Sequence, residues 1–320
     1  MIEFEAPGKA VIWGEYAVLE GAPALVMALN RYARTRITPG GDRWHIRASG
    51  LTGSQKITAR ALRENPIEPD NVAAVVAAGL AALGDEAWDD LPPGAEVLTD
   101  TSHFYQGTTK LGIGSSAAVC TATYAALASL LDVPFTYRGA LAAHHALQGS
   151  AGSGLDVAAA YHGGLIRFER REVSNFPWPD GLHYQFIWTG HAARTTDHLA
   201  RYNTWKARSD TSVLTELCRA SERLFKKPEL AAFANYTTCL KNLDDSAEIG
   251  IYDPTHRELE KLAKQAQVVY KPCGAGGGDI GIAVSDDAAS LNHLVAAAAK
   301  RKFQILTLEI AGNGIHRIRD

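Results

Sequence analysis

The segment Leu111-Gly112-Ile113-Gly114-Ser115-Ser116-Ala117-Ala118 runs without a break into the apolar, helix-forming stretch Val119 to Leu131. Glycine at 112 and 114 lets the backbone bend close to a ligand, and the two serines offer hydroxyls. The following helix start presents uncapped N–H groups and the positive end of its dipole. A turn of this kind binds anions, and phosphate is the commonest occupant. The same residues also suit a plain Gly-Ser turn that caps a buried helix, so other segments must decide. Two familiar phosphate loops do not fit. A Walker loop needs Gly-Lys-Ser/Thr at its end, and a dinucleotide loop needs G-x-G-x-x-G with an acidic residue ~20 positions on. Here Ala117 stands where the third dinucleotide glycine would fall, and Lys110 precedes the glycines.

Two further segments carry groups suited to moving a phosphoryl group. In Ala6-Pro7-Gly8-Lys9-Ala10-Val11-Ile12-Trp13-Gly14-Glu15-Tyr16, a lysine after a Pro-Gly turn and at the start of an apolar strand can hold a positive charge beside an attacking oxygen. In Gly149-Ser150-Ala151-Gly152-Ser153-Gly154-Leu155-Asp156, a flexible Gly-Ser loop delivers Asp156 to the first turn of an Ala-rich helix, where the helix dipole favours a carboxylate. Alone, the lysine reads as a surface residue and the loop as a linker.

The elements that must position these groups follow from the pattern of the rest. Ala10–Trp13 and Ala24–Leu29 read as strands around the turn-like Glu20-Gly21-Ala22-Pro23, and 39–56 as a hairpin. Asp70-Asn71 cap a helix that ends near Gly84, Trp88–Pro93 form a loop, and Glu96–Thr101 form a strand. A helix starting at Pro134–Tyr137 carries His144, His145 and Gln148. Leu165–Phe168 form the strand that closes this half, and near residue 183 the character changes. Beyond it come the strand Phe186–Gly190, amphipathic helices from Thr195 to about Gln267, and a glycine-rich loop within Lys271–Val284. A helix over 286–300 and a last strand over 303–310 complete a smaller α+β unit.

Composition limits what this assembly can be. With 320 residues, 46% hydrophobic and 21% charged, the chain is long enough for two domains with a substantial core. A net charge of −3 and scattered basic residues exclude a polyanion-binding surface, so no nucleic-acid partner is expected. Arg167, Arg170-Arg171 and Lys226-Lys227 read as solvated turn positions. Cysteines at 120, 218, 239 and 273 form no C-x-x-C pair and suit a reducing compartment. No apolar run approaches the ~18 residues of a membrane span and the first residues lack signal-peptide character, which predicts a cytoplasmic protein without a membrane partner.

The glycine loop with its flanks resembles the central P-x-x-x-G-L-G-S-S-A-A motif of the GHMP kinases, with Ile113 for Leu and Thr108 for Pro. The segments around Lys9 and Asp156 resemble other motifs of that family, in the family's order. The resemblance implies an α+β fold of two domains: a ribosomal S5 domain 2-like N-terminal domain over 1–183 that binds ATP, and a ferredoxin-like C-terminal domain over 184–320. It further implies ATP and Mg²⁺ as cofactors and a small-molecule acceptor, in a monomer or homodimer. Lys9 and Asp156 would be catalytic, with the ammonium pairing with the carboxylate. Lys110, Gly112, Gly114, Ser115, Ser116, Ala117, Gly276 and Gly277 would hold the nucleotide, Ser115 also the metal. Glu15, Tyr16, Ser153, Gly154, Arg194, Thr195, Gly274 and Ala275 would line the acceptor site, with His198 and Arg201 as further cations. Within the family the phosphomevalonate kinase branch is most alike, through Lys110, His145-x-x-Gln148-Gly149, Trp188-Thr189-Gly190 and Gly274-Ala275-Gly276-Gly277-Gly278-Asp279. Mevalonate kinases carry a metal-binding glutamate about eleven residues before the catalytic aspartate, where this chain has His145; that leaves the second metal ligand open. Mevalonate kinase, another GHMP kinase, diphosphomevalonate decarboxylase and a non-catalytic sensor of the same fold are the alternatives.

Overall fold

The computed structural model describes residues 1–49, 53–64, 68, 71–148, 152–193, 195–207 and 211–318, and of 195 and 196 the backbone only. Its first sheet is built on two long strands, β1 (Ile2–Trp13) and β2 (Ala24–Pro39). β3 (Trp44–Ser49) and β4 (Ser54–Ile57) form the expected hairpin. The helices α1 (Ala59–Glu64), α2 (Ala74–Leu83) and α3 (Glu86–Asp89) lead to β5 (Ala95–Asp100). A small ribbon, β6 (Tyr105–Gln106) with β7 (Thr109–Lys110), precedes α4 (Ser115–Leu130), α5 (Tyr137–Gln148) and α6 (Leu155–His162). The hairpin β8 (Leu165–Glu169) and β9 (Glu172–Asn175) then joins β2.

In this sheet the order is β14-β1-β2-β5-β3-β4, with β8 also on β2 and β9 on β8. All pairings are antiparallel except β3 with β5. The run Ala24 to Leu29 is wholly buried, as expected of a strand covered on both faces. α4 is the central helix: from Ala117 to Ala128 all but Val119 are buried, since the many alanines with Cys120, Thr121 and Thr123 let neighbours approach on every side. Ala117, Cys120, Tyr124 and Leu127 pack with Val76 and Leu80 of α2, Leu141 of α5 and Val157 of α6 over Phe4, Ile37, Trp44 and Val97 of the sheet.

The chain changes sheet at β10 (His183–Trp188). Four helices follow: α7 (Thr195–Lys206), α8 (Ser212–Lys226), α9 (Leu230–Ala247) and α10 (Pro254–Gln265). Then come β11 (Val269–Pro272), β12 (Ile280–Ser285), α11 (Ala288–Lys300) and β13 (Gln304–Leu306). The second sheet is antiparallel in the order β11-β12-β10-β13, and α10 and α11 pack Leu259, Leu262, Leu291 and Leu294 against its Ile187, Tyr270 and Ala283. A strand, helix, two strands, helix, strand succession in that order is the ferredoxin-like arrangement. No helix among the described residues is long and apolar enough to cross a membrane.

Several boundaries differ from expectation for physical reasons. The last strand is not continuous to residue 310: after β13 the chain crosses back, Ile310 bridges Leu29, and β14 (His316–Arg317) pairs with Phe4 and Glu5 of β1. Residues 308–318 therefore belong to the first sheet although they follow the second. β9 continues past the expected end of that half, turning at Arg170 and Arg171 with φ of 49° and 71°. Trp88 lies in α3, not in a loop. The expected cap Asp70 is outside the described residues, while the Asn71 side chain accepts from Ala73 N ahead of α2.

Candidate active site

Gly114 is the N-cap of α4 in the left-handed conformation, φ 83° and ψ 37°, which a glycine holds without steric cost. Its carbonyl accepts from Ala118 N (3.2 Å). The amides of Ser115, Ser116 and Ala117 find no protein acceptor among the described residues, and neither serine hydroxyl has a protein partner there. Both serines are half-buried. The result is a fixed cluster of donors at a positive helix end, the arrangement that receives phosphate.

Lys9 is carried to this turn by the pairing of its own backbone: Lys9 N donates to Ile113 O at 2.8 Å. Its side chain runs across Gly114, where an added Cβ would come within 3.0 Å of Lys9 Cγ, and its Nζ ends 3.7 Å from the Cβ position of Gly274. The glycine-rich loop between β11 and β12 thus meets the same place from the opposite sheet. Tyr16, with φ 59°, donates from its hydroxyl to Ala275 O (2.7 Å) and pins that loop to the end of β1.

Asp156 lies in the first turn of α6, whose N-cap is Gly154. Its carboxylate accepts from Val157 N (2.9 Å), and its charge is felt by Cys120 on α4 and by Tyr137 and His144 on α5. Burial lowers the His144 pKa, and His144 Nε2 has no hydrogen-bond partner among the described residues. Among the described residues no ion pair joins Lys9 to Asp156. Lys9 reaches the phosphate turn over Gly114, while α6, which carries Asp156, packs on α4 and β1.

Residues 108–164, which contain this turn and Asp156, match the family model described as "GHMP kinases N terminal domain". The phosphomevalonate kinase of Streptomyces sp. (strain CL190) is 27% identical, with 89% of this chain and 90% of that protein covered. That of Saccharolobus solfataricus is 24% identical, with 97% of each covered. Streptococcus pneumoniae phosphomevalonate kinase in complex with phosphomevalonate and AMPPNP superposes with a TM-score of 0.79 over 97% of this chain and all of that one, at 23% identity. Residues 108–164 thus carry the GHMP kinase N-terminal domain, and nearly the whole chain is similar to phosphomevalonate kinases and shares their fold.

The GHMP kinase fold brings together Lys9, Gly112, Gly114, Ser115, Ser116, Gly274 and Ala275. Ala117 is buried in the core and offers the site only its amide. Lys110 is exposed on β7, with its ammonium 6.0 Å from the Tyr105 ring centroid. Ser153 is half-buried and Gly154 packs against Leu141. Arg194 lies outside the described residues, and Thr195 begins α7.

Other assignments are corrected by the packing. The expected Lys9–Asp156 pair is absent among the described residues, because Lys9 turns toward Gly274 and the charge of Asp279 instead. Glu15 does not face an acceptor. Its carboxylate is buried in an ion pair with the fully buried Lys271 and accepts from the Tyr236 hydroxyl (2.7 Å). Gly276 and Gly277 fit around protein: added Cβ atoms would fall 2.5 Å from Ile251 O and 2.2 Å from His198 Nε2. His198 and Arg201 turn to the α9–α10 connection, with Arg201 donating to Ile249 O (3.0 Å) and His198 Nε2 facing Gly250 O (3.4 Å).

That connection is built from buried polar groups with no pattern in the sequence to announce them. Asp244 accepts from the amides of Gly250, Ile251 and Tyr252 at 2.7–2.8 Å. His256 donates from Nε2 to Gly278 O (2.8 Å), since a carbonyl can only accept, and its Nδ1 accepts from the Tyr270 hydroxyl (2.8 Å). Burial drives its pKa down to about 4.

Proposed function

We propose that this GHMP kinase transfers the γ-phosphoryl group of ATP to the phosphate of 5-phosphomevalonate, giving 5-diphosphomevalonate and ADP. The observation that carries the reading is the open start of α4, where three amides and two hydroxyls without protein partners among the described residues follow Gly114, across which the Lys9 side chain runs. Such a transfer is chiefly positioning and neutralisation of charge. The amides of 115–117 hold the nucleotide phosphates, and Lys9 offsets negative charge as the γ-phosphoryl moves. Asp156 orients the acceptor. A phosphate acceptor is already largely ionised near neutral pH, so placement matters more here than proton removal.

Ser115 fits a magnesium-nucleotide site, because its hydroxyl, at the helix start, has no partner among the described residues. Mg²⁺ takes one or two protein oxygens and completes its shell with phosphate and water. When bound it supplies charge neutralisation across the phosphate oxygens. No group of three or more His, Cys, Asp or Glu side chains suited to a metal occurs among the described residues. Residues 1–183 are taken as the nucleotide-binding domain and 184–320 as the domain that closes on it, in a cytoplasmic monomer or homodimer.

A coupled ADP-release assay against 5-phosphomevalonate, mevalonate and sugars tests the assignment. Turnover is expected with 5-phosphomevalonate, whereas preference for mevalonate, or CO₂ release from the diphosphate, would overturn it.

A further inference from the structure

Asp279 closes the glycine-rich loop, yet no role falls to it from its place in the sequence. Its N–H donates to His191 O (2.9 Å), and its carbonyl accepts from Thr189 N (3.0 Å) and the Thr189 hydroxyl (2.9 Å). Its Oδ1 accepts from Ala193 N (2.9 Å). These bonds hold it at φ 59°, in the left-handed region that residues with a Cβ seldom occupy. Asp279 thereby ties the segment 189–193, which leads into α7, to the loop before β12.

The carboxylate then reaches across to the phosphate turn. A Cβ added to Gly112 would lie 1.9 Å from Asp279 Cγ and 2.2 Å from Oδ2, so glycine at 112 makes room for this carboxylate. Lys9 of β1 places positive charge near the group, the rings of His191 before α7 and His198 within it lie around it, and the Cys273 thiol also faces it. Burial nevertheless raises its pKa, outweighing those charges and the Ala193 amide. A carboxylate beside a site built for polyanions is unfavourable unless a fixed cation compensates it.

We propose that Asp279 is a positioning residue for phosphoryl transfer: its carboxylate wedges the phosphate turn against the opposite glycine-rich loop at Gly112 and aims the Lys9 ammonium across Gly114. The inference takes the reaction from the proposed function, but the wedge itself stands on geometry.

Asp279→Asn keeps the shape and the acceptor for Ala193 N while removing the charge. It should leave the melting temperature and the calorimetric Kd for Mg-AMPPNP close to wild type and lower kcat by about 10- to 100-fold at unchanged KM for ATP, the scale of a misaimed group. Wild-type kcat in Asp279→Asn would overturn the aiming role. Gly112→Ala should lower the melting temperature and weaken Mg-AMPPNP binding by about 10-fold or more, as overpacking displaces the turn. Adding Asp279→Gly to Gly112→Ala removes the Asp279 Cβ, 2.3 Å from the new methyl, as well as the carboxylate, and should recover part of both, short of the strain of alanine at φ 76°, without recovering kcat. Unchanged melting and nucleotide affinity in Gly112→Ala would overturn the wedge, and full kcat in the double variant would overturn the aiming role. If Asp279→Asn fails to fold, the Gly112 pair decides alone. If no acceptor is turned over by the wild-type protein, the proposed reaction fails, while the melting and Mg-AMPPNP measurements still judge the wedge.

Discussion

The two glycine-rich loops of this kinase look alike on paper and are used in opposite ways. In 111–118 the left-handed Gly114 opens a helix start whose amides at 115–117 and serine hydroxyls have no protein partners among the described residues. In 273–279 the glycines clear space for protein: Ile251 and His198 fill the positions where side chains would stand, and His256 fastens Gly278 from below. A missing side chain can therefore free a backbone for a ligand or admit a neighbour into a packed core, and only the neighbours decide which.

The largest expected effect tests the open side. Asp156→Ala should lower kcat by about 10²- to 10⁴-fold, the usual scale for a positioned acid or base group, while Mg-AMPPNP affinity by calorimetry stays near wild type. A wild-type rate would remove Asp156 from the chemistry. Next comes the foundation of the packed side. Lys271→Ala leaves Glu15 as an uncompensated buried charge and should cost about 3–5 kcal/mol in urea unfolding, where an exposed lysine such as Lys110 should cost almost nothing.

Acid should weaken the packed loop before the open one. The His256 pKa is about 4 in the fold against 6.5 as its ordinary value, so between these values the unfolded chain binds a proton that the folded one refuses. Stability from this group is complete above pH 6.5 and falls as the pH drops toward 4, at up to about 1.4 kcal/mol per pH unit. Urea unfolding across that window should show the slope, and His256→Gln should flatten it.

The smallest effect separates the loops most directly. Gly277→Ala meets His198 Nε2 at 2.2 Å and should cost about 1–3 kcal/mol of stability with little change in nucleotide affinity. Gly114→Ala meets the flexible Lys9 side chain and should do the reverse, beyond the ~1–2 kcal/mol of its left-handed backbone. If both alanines behave alike in melting and calorimetry, the contrast fails.

What was legible in the sequence follows the same line. The phosphate turn, α4 and the Asp156 helix start are set by local rules: glycine where φ is positive, small residues on a helix buried all round, an acid in a first turn. The packed loop depends on partners far along the chain. Nothing near Lys271 announces that Glu15, 256 residues away, will neutralise it, and nothing near Gly276 announces Ile251. β9 and β14 were invisible for another reason. Glu172–Asn175 is largely polar and turns through two arginines, while β14 is two residues long and owes its existence to the free edge of β1. Arg201 shows the limit of spacing: its position on the helix is regular, but the carbonyl it meets at Ile249 comes from another element.

The return of residues 308–318 to the first sheet has a consequence for how the molecule is made. The strand that bears Lys9 gains its outer neighbour only after the whole ferredoxin-like unit has been synthesised. A nascent chain stopped anywhere before β14 therefore leaves the hydrogen-bonding rim at Phe4 and Glu5 bare and able to pair with a strand from another molecule. Vectorial synthesis and the order of assembly run in opposite directions here, and a fragment ending near residue 183 would be the species most exposed to that mispairing.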